Sequence, residues 1–371
     1  MIFSKLFASK KFLGIDIGTA GIKIVELSGR GEKKKLENYG EIKAETVNEK
    51  HFRTFEKNTL SLSDKDVALA IRAIMEEARL KTRDCFFSIP DFSSFFTNLE
   101  LPHMTKEEIP QAVIYEAKHH VPLPLGEVTL DWEIINGKSP NKEKNKLRIL
   151  LVAVPNEMIN QYQAIAKLCG LKLAALEAEV FGLLRSLVPK EEKRAIAIVD
   201  IGAQTTTYSI IDNRTLKTSN SFAVSGDNLT ERVAKGLSID NPTAQKLKEK
   251  YGLENISLPS ASAGSSSAKS IKEILLPLVH EIFREVDKIN TTFRRLENKE
   301  IEKFIIAGGG SLMPGLKKQF EDYFKKEIEI ANPFSAILCP PILEKTLKEM
   351  GPSYAIAVGA ALRGLEQSFN K

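Results

Sequence analysis

Two aspartates, Asp16 and Asp200, each close an apolar run and are followed by Ile-Gly and then by small or hydroxylated residues. The first stands in GIDIGTAGIKIVEL, beginning at Gly14, and the second in IVDIGAQTTTYSII, beginning at Ile198. A glycine at the tip of a strand hairpin lets backbone N–H groups approach a phosphate without interference from a Cβ. Hydroxyls such as those of Thr19, Thr205, Thr206 and Thr207 can supplement them. An aspartate at the strand end is an oxygen donor for Mg²⁺, directly or through water, because Mg²⁺ keeps much of its hydration shell. Lys23 adds a positive charge. Two such hairpins facing each other would cradle a polyphosphate from both sides. A single copy reads equally well as an ordinary turn with a polar residue on a half-buried strand. The repetition, joined by AGGGS at Ala307–Ser311, argues for chemistry.

That third segment is a strand ending in glycines, whose backbone can press against an adenine or a ribose, before a helix that Pro314 helps to start. Neither GxGxxG in a strand-helix setting nor GxxxxGK[ST] occurs, so the two commonest nucleotide motifs are absent. Histidine supplies no metal site: His119 and His120 are adjacent and on a helix point about 100° apart, while His51, His103 and His280 are isolated. Cys85, Cys169 and Cys339 are far apart, without ligand or redox spacing, and read as buried hydrophobes of a reducing compartment.

The elements that must position these residues follow from periodicity. Phe12 to Leu27 reads as two strands joined by a tight turn, and RGEKKKLENYGEI as a polar turn and a third strand. Ser63 caps an amphipathic helix in DKDVALAIRAIMEEARL, with Val67, Ala70, Ile71, Ile74, Met75 and Ala78 at helical spacing. DCFFSIP is a buried strand. A second unit follows, its helix expected from a Thr105–Glu108 capping box to His120, its strands VTLDWEII and LRILLVAV flanking the polar tip NGKSPNKEKNK. Next come a helix ending at Gly170, the strand LKLAALE and a helix to about Leu187. RAIAIVDIG opens the second half. SLPSASAGSSSAKS reads as a flexible Ser/Ala insertion, and SYAIAVGAALRGL as a small-residue helix able to pack closely.

At 371 residues the chain exceeds the size at which single cores stop growing, about 250 to 300, so two lobes are expected. The net charge of +5 is spread through 27% charged residues without blocks, which argues against a nucleic-acid binder and permits contact with an acidic surface. No apolar run approaches the length of a spanning helix. The opening Ile2, Phe3, Leu6 and Phe7 beside Lys5, Lys10 and Lys11 reads as a frayed lead into the first strand or as a short amphipathic contact.

The ordered set of Asp-Ile-Gly, a Glu-bearing strand-helix junction, a second Asp-Ile-Gly and Gly-Gly-Gly resembles the actin, Hsp70 and sugar-kinase superfamily. Within it, FLGIDIGTAGIKIVEL and LELPHMTKEEIPQAVIYEAKHHVPLPLGEVTLDWEII are similar to the PilM family of type IV pilus assembly proteins, relatives of the FtsA cell-division proteins. The resemblance covers nearly the whole chain. It implies an α/β, actin-like (ribonuclease H-like) two-lobed fold with an inserted FtsA-type subdomain. Residues 1–91 would form the first part of lobe 1, 92–154 the inserted subdomain, 155–192 the rest of lobe 1, 193–339 lobe 2 and 340–371 a helix returning to lobe 1.

The resemblance also implies bound ATP and Mg²⁺, with Asp16 and Asp200 toward the metal. It places one phosphate hairpin at Gly18, Thr19, Ala20 and Lys23, and the other at Gly202, Gln204, Thr205 and Thr206. Glu231 and Lys235 would lie at the ribose and adenine, across from Gly308, Gly309, Gly310 and Ser311, although their i, i+4 spacing is also that of a surface ion pair. Glu177 would orient or deprotonate an attacking water, with Glu179 close enough to share that alignment and either equally readable as a helix-start carboxylate. The implied function is an ATP-binding cytoplasmic scaffold, peripheral to the inner membrane through its partners. It would capture the N-terminal cytoplasmic tail of PilN and link the membrane complex to the motor. Pilus motor and platform proteins, and self-association, are further candidate contacts. A phosphotransferase, a slow ATPase or a filament former of the same superfamily remain alternatives. Phe86, Phe87, Phe92, Phe95 and Phe96 supply aromatic surface for a peptide groove, Phe95 and Phe96 facing opposite ways if extended.

Overall fold

The computed structural model describes residues 9–30, 33–47, 54–56, 59–135, 146–254 and 270–369. The opening amphipathic residues, the polar tip at 136–145 and the Ser/Ala tract at 257–269 lie outside the described residues. The chain divides into two compact units. The first holds residues 1–192, 214–219 and 332–371, and the second 193–213 and 220–331.

In the first unit β1 (Lys10–Gly18) and β2 (Gly21–Arg30) pair antiparallel around the two-residue turn Thr19–Ala20, as their alternation predicts. β3 (Lys33–Lys43) follows on the β2 edge, and after it come a one-turn helix α1 (Ala44–Val47) and the short antiparallel pair β4 (Phe55–Glu56) and β5 (Thr59–Leu60). α2 (Asp64–Glu77) starts at Ser63, whose hydroxyl accepts from the Asp66 N–H, the cap expected from its sequence. β6 (Asp84–Ile89) lies parallel to β1.

Next comes a separate three-stranded antiparallel sheet ordered β7-β9-β8, made of β7 (Phe95–Pro102), β8 (Val128–Ile134) and β9 (Lys146–Pro155). Its helix α3 (Ile109–His120) begins three residues later than its capping box suggests. Glu108 accepts from the backbone and hydroxyl of Thr105 at 2.8 and 2.9 Å, but this bond pair closes a turn ahead of the helix. Pro110 then falls in the first helical turn, where a missing N–H costs nothing. Leu99, Leu101, Val113, Ala117, Ile149 and Leu151 form a core between α3 and one sheet face.

α4 (Asn156–Leu168) returns the chain to the larger sheet, where β10 (Lys172–Ala178) pairs parallel with β6 and leads directly into α5 (Glu179–Leu187). The sheet order is therefore β10-β6-β1-β2-β3, with the parallel strands β10, β6 and β1 ending together.

The second unit repeats the plan. β11 (Ala195–Ile201) pairs antiparallel with β12 (Thr206–Asp212), and β13 (Thr215–Phe222), whose last residues belong to this unit, lies at the β12 edge. After α6 (Gly226–Leu237), α7 (Asn241–Tyr251) and α8 (Ile271–Glu297) come β14 (Lys303–Ala307), α9 (Leu316–Phe324) and β15 (Glu327–Ile330). β14 runs parallel to β11, and β15 to β14. Burying Ile198, Val199, Ile305 and Ile306 on both faces of that sheet explains their near-continuous apolar runs.

α10 (Glu344–Phe369) packs in the first unit against β1, β2 and α5. Its small residues make this approach possible: a Cβ on Gly359 would lie 2.5 Å from the Gly182 Cα of α5. The three cysteines are free. Cys85 and Cys169 are buried, and burial pushes their thiols up to about 12 and about 11, which leaves them inert core residues. Among the described residues no helix is long and apolar enough to cross a membrane.

Candidate functional site

Each unit carries one Asp-Ile-Gly turn, and in each the protein fixes the turn through its carbonyls. In the first unit the Thr54 hydroxyl donates to the Gly18 carbonyl at 2.6 Å, the Thr54 N–H to Thr19 O at 3.1 Å and the Ala44 N–H to Ala20 O at 3.0 Å. Because a trans peptide sets its N–H opposite its C=O, the Thr19 and Ala20 N–H groups point away from these anchors. In the second unit the first two residues of α6 do the same work: the Gly226 N–H donates to Gly202 O at 3.0 Å and the Asp227 N–H to Ala203 O at 2.9 Å, while Gly202 N–H is held by Thr205 O at 2.9 Å. The Ala203 and Gln204 N–H groups are thereby directed to the other side. Two unrelated sets of partners produce the same presentation of consecutive donors, the arrangement that binds anionic oxygens.

The carboxylates differ. Asp16 is buried, accepts from the Ser88 hydroxyl at 2.8 Å and sits opposite Lys23 across the β1–β2 pair. Burial pushes its carboxyl above the ordinary range, against the lowering effect of Lys23 and Ser88. Lys23 is itself buried and reaches Glu41 at 3.5 Å. Asp200 is half-buried at the end of β11. Among the described residues no group of three or more His, Cys, Asp or Glu could hold a metal. Each aspartate is one donor, and a cation at either would keep most of its water, which suits Mg²⁺.

The three glycines are not equivalent. Gly308 has φ +78° and ψ 167°, and a Cβ there would lie 2.5 Å from Ile201 O and closer still to Asp200 Oδ1. At Gly310 a Cβ would lie 2.9 Å from Ile201 O. At Gly309 nothing lies within 4 Å, so this glycine is open. Ser311 folds back, its hydroxyl donating to Gly308 O at 2.6 Å. The triple glycine thus packs against the Asp200 strand end and leaves its middle residue uncovered.

Glu231 and Lys235 form an i, i+4 ion pair at 2.6 Å on α6, largely exposed. Glu177 stands differently from a water-activating carboxylate. Arg185 grips it with two bonds of 2.7 Å, and Arg363 approaches at 3.3 Å. Both of its oxygens are engaged by guanidiniums, which is the geometry of an anchor between β10, α5 and α10. The neighbouring Glu179 is the buried carboxylate at the end of the parallel strands. Its Oε2 accepts the Asp91 N–H at 3.2 Å, while Asp91 Oδ1 accepts the Val180 N–H at 3.2 Å. Composition and spacing did not separate the two. They missed Asp91 altogether, since it stands in no motif.

The chain matches the family described as type IV pilus assembly protein PilM over residues 14–365, almost its whole length. The chain belongs to that PilM family. Its fold is similar to that of the chain solved in a PilM-PilN type IV pilus biogenesis complex, with TM-score 0.80, 24% identity and coverage of 95% of this chain and 98% of that one. MreB5 of Spiroplasma citri bound to AMPPNP shares the fold at TM-score 0.56 and 14% identity, over 97% and 98% of the two chains. The cell-division protein FtsA of Pseudomonas aeruginosa is 23% identical over 62% of this chain and 56% of its own. FtsA of Staphylococcus epidermidis is 20% identical over 55% and 46%. This PilM-family chain spans about half the length of those curated relatives. The fold is therefore the actin-like α/β fold.

The aromatic residues also sort themselves. Phe86 and Phe87 are buried in the first unit, and Phe92 packs edge-on to Phe55 at 5.4 Å. Phe95 packs against the core between α3 and the β7-β9-β8 sheet, whereas Phe96, next along β7, faces the other side and is half-buried.

Proposed function

We propose that this chain is an ATP-binding cytoplasmic scaffold of type IV pilus assembly that captures the N-terminal cytoplasmic tail of a PilN partner at the membrane. Nucleotide binding rests on the pair of Asp-Ile-Gly turns, whose carbonyls are tied back so that consecutive N–H groups are presented, one turn in each unit. That duplication is the observation that carries the reading. Asp16, Gly18, Thr19, Ala20 and Lys23 serve the phosphates in the first unit. Asp200, Gly202, Gln204 and Thr205 serve them in the second, whereas Thr206, expected beside them, is fully buried and its hydroxyl donates to Val224 O at 2.6 Å. Gly308, Gly309, Gly310 and Ser311 give the backbone surface against which the nucleoside rests, with Glu231 and Lys235 at its edge. Asp16 in the first unit and Asp200 in the second are each a candidate oxygen donor to Mg²⁺, which would offset the phosphate charge. The AMPPNP-bound MreB5 of the same fold supports this assignment.

Capture of PilN is supported by family membership and by the likeness to the solved PilM-PilN complex. Phe96 is the aromatic available to an apolar anchor of the peptide, since Phe95 is spent on the subdomain core. A tail of that kind would order on binding. Slow hydrolysis is a second reading, favoured by Glu179, a buried carboxylate at the start of α5.

Titration of the purified chain with a synthetic PilN N-terminal peptide, with and without Mg·ATP, tests the scaffold reading. Saturable binding that Phe96→Asp abolishes while nucleotide affinity stays unchanged is expected. Peptide binding unaffected by Phe96→Asp would place the groove elsewhere, and none in the wild type would refute the scaffold.

A further inference from the structure

Thr54 stands in no motif and is fully buried, yet it controls the orientation of two peptide planes in the first Asp-Ile-Gly turn. Its hydroxyl donates to Gly18 O at 2.6 Å and its N–H to Thr19 O at 3.1 Å. The Gly18 carbonyl belongs to the same peptide as the Thr19 N–H, and the Thr19 carbonyl to the same peptide as the Ala20 N–H. A trans peptide is planar, so holding the carbonyl fixes the direction of the N–H opposite it. Hydrogen bonds weaken steeply as their angle departs from linear, and a donor aimed in advance is worth more than one that must be turned. In the second unit the matching carbonyls are held by the backbone N–H groups of Gly226 and Asp227, whereas here one of the two bonds depends on a side-chain hydroxyl.

The β4–β5 pair places Thr54. The partners Phe55↔Leu60 and Glu56↔Thr59 set Thr54 opposite Ser61 at the end of the ribbon. Ser61 donates to the Thr54 carbonyl twice, from its N–H at 2.7 Å and from its hydroxyl at 2.9 Å. Phe55, Leu60 and Leu62 root the ribbon in the core of the first unit, where the Phe55 ring stands edge-on to Phe92. Valine has the shape of threonine without the hydroxyl, so the oxygen is what this position adds to packing.

We propose that Thr54 is a positioning residue of the phosphate site: it aims the Thr19 and Ala20 N–H groups at the anionic oxygens of a bound polyphosphate, and Ser61 holds it there. This rests on the nucleotide reading above and adds two residues to it. Neither side chain touches the phosphate.

The test compares wild type, Thr54→Val, Thr54→Ser and Ser61→Ala by urea unfolding, by equilibrium binding of Mg·AMPPNP, and by amide hydrogen exchange at matched saturation. In the wild type, bound nucleotide slows exchange at Thr19 and Ala20. Thr54→Val raises Kd about tenfold, the upper end of what one hydrogen bond is worth, and leaves the Thr19 amide less protected at equal saturation. Thr54→Ser keeps the hydroxyl and binds within about twofold of wild type, while Ser61→Ala raises Kd about threefold. Wild-type Kd in a less stable Thr54→Val makes the bond a packing feature alone and overturns the proposal. So do equal losses in Thr54→Val and Thr54→Ser, which trace the effect to shape and not to the hydroxyl. If Thr54→Val does not fold, an unchanged Kd in Ser61→Ala overturns it. Absence of Mg·AMPPNP binding in the wild type overturns the nucleotide reading and the proposal with it, whereas binding that is indifferent to Thr54 leaves that reading standing.

Discussion

The triple glycine offers a sharp separation of packing from ligand contact, because three adjacent and chemically identical residues have three different environments. Gly308→Ala forces an L-residue into φ +78°, ψ 167°, a region essentially reserved for glycine, at a cost of about 1 to 3 kcal/mol. Its new methyl would also meet Ile201 O at 2.5 Å and the carbonyl carbon at 2.8 Å, backbone atoms that cannot rotate away. Overpacking of this kind adds about 1 to 3 kcal/mol. The sum, about 2 to 6 kcal/mol, is a large part of the stability of an ordinary domain. Gly310→Ala carries the overpacking cost alone, against Ile201. Gly309→Ala meets nothing, and shrinking the conformational freedom of the unfolded chain leaves it neutral or more stable by up to about 1 kcal/mol. Urea unfolding of the three variants gives the ranking, and nucleotide titration supplies the second axis. Gly309→Ala is expected to keep its fold and lose nucleotide affinity, because its methyl projects where the nucleoside is proposed to lie. Equal destabilisation at 308 and 309 would refute the packing argument. An unchanged affinity at 309 would remove the glycines from the site.

Two further perturbations follow from the carboxylates. Glu177→Ala should cost about 1.5 to 3 kcal/mol in urea unfolding, because Arg185 loses two charged hydrogen bonds while keeping Glu366 and the Gly359 carbonyl, and Arg363 keeps the Leu176 carbonyl, while nucleotide affinity per folded molecule is unchanged. A Glu177→Gln protein of full stability that has lost turnover would instead restore the catalytic reading. Asp16 is a buried carboxyl with a raised pKa, so the native chain binds its proton more readily than the unfolded chain. That contribution favours folding below the unfolded-state pKa and is lost as pH rises through the folded one, by about 1.4 kcal/mol for each unit between them. Asp16→Asn should therefore be the more stable protein at pH 7 without ligand, with the advantage vanishing toward pH 4, and should bind Mg·ATP more weakly. Parallel pH–stability curves for the two proteins would exclude a raised Asp16 pKa.

The sequence by itself determined the hairpin turns, the two aspartates at strand ends, the glycine-rich end of β14 and membership of the family. Each of these is local chemistry: a glycine, a carboxylate and flanking alternation within a dozen residues specify a turn wherever the chain places it. Tertiary structure decided which carboxylate does what. β10 carries a register irregularity between Leu173 and Ala175, and one such slip sends every following side chain to the opposite face, so counting from LKLAALEAE cannot tell which glutamate meets the arginines of α5 and α10. The arginines themselves come from 8 and 186 residues along the chain. Phe95 and Phe96 were separable by alternation, but which of them is core depended on α3 lying over one face of its sheet. Tyr162 stands in no motif of the sequence. Only the packing of α4 against β6 buried its hydroxyl, because burial is a property of everything that surrounds a residue and not of the residues beside it in sequence.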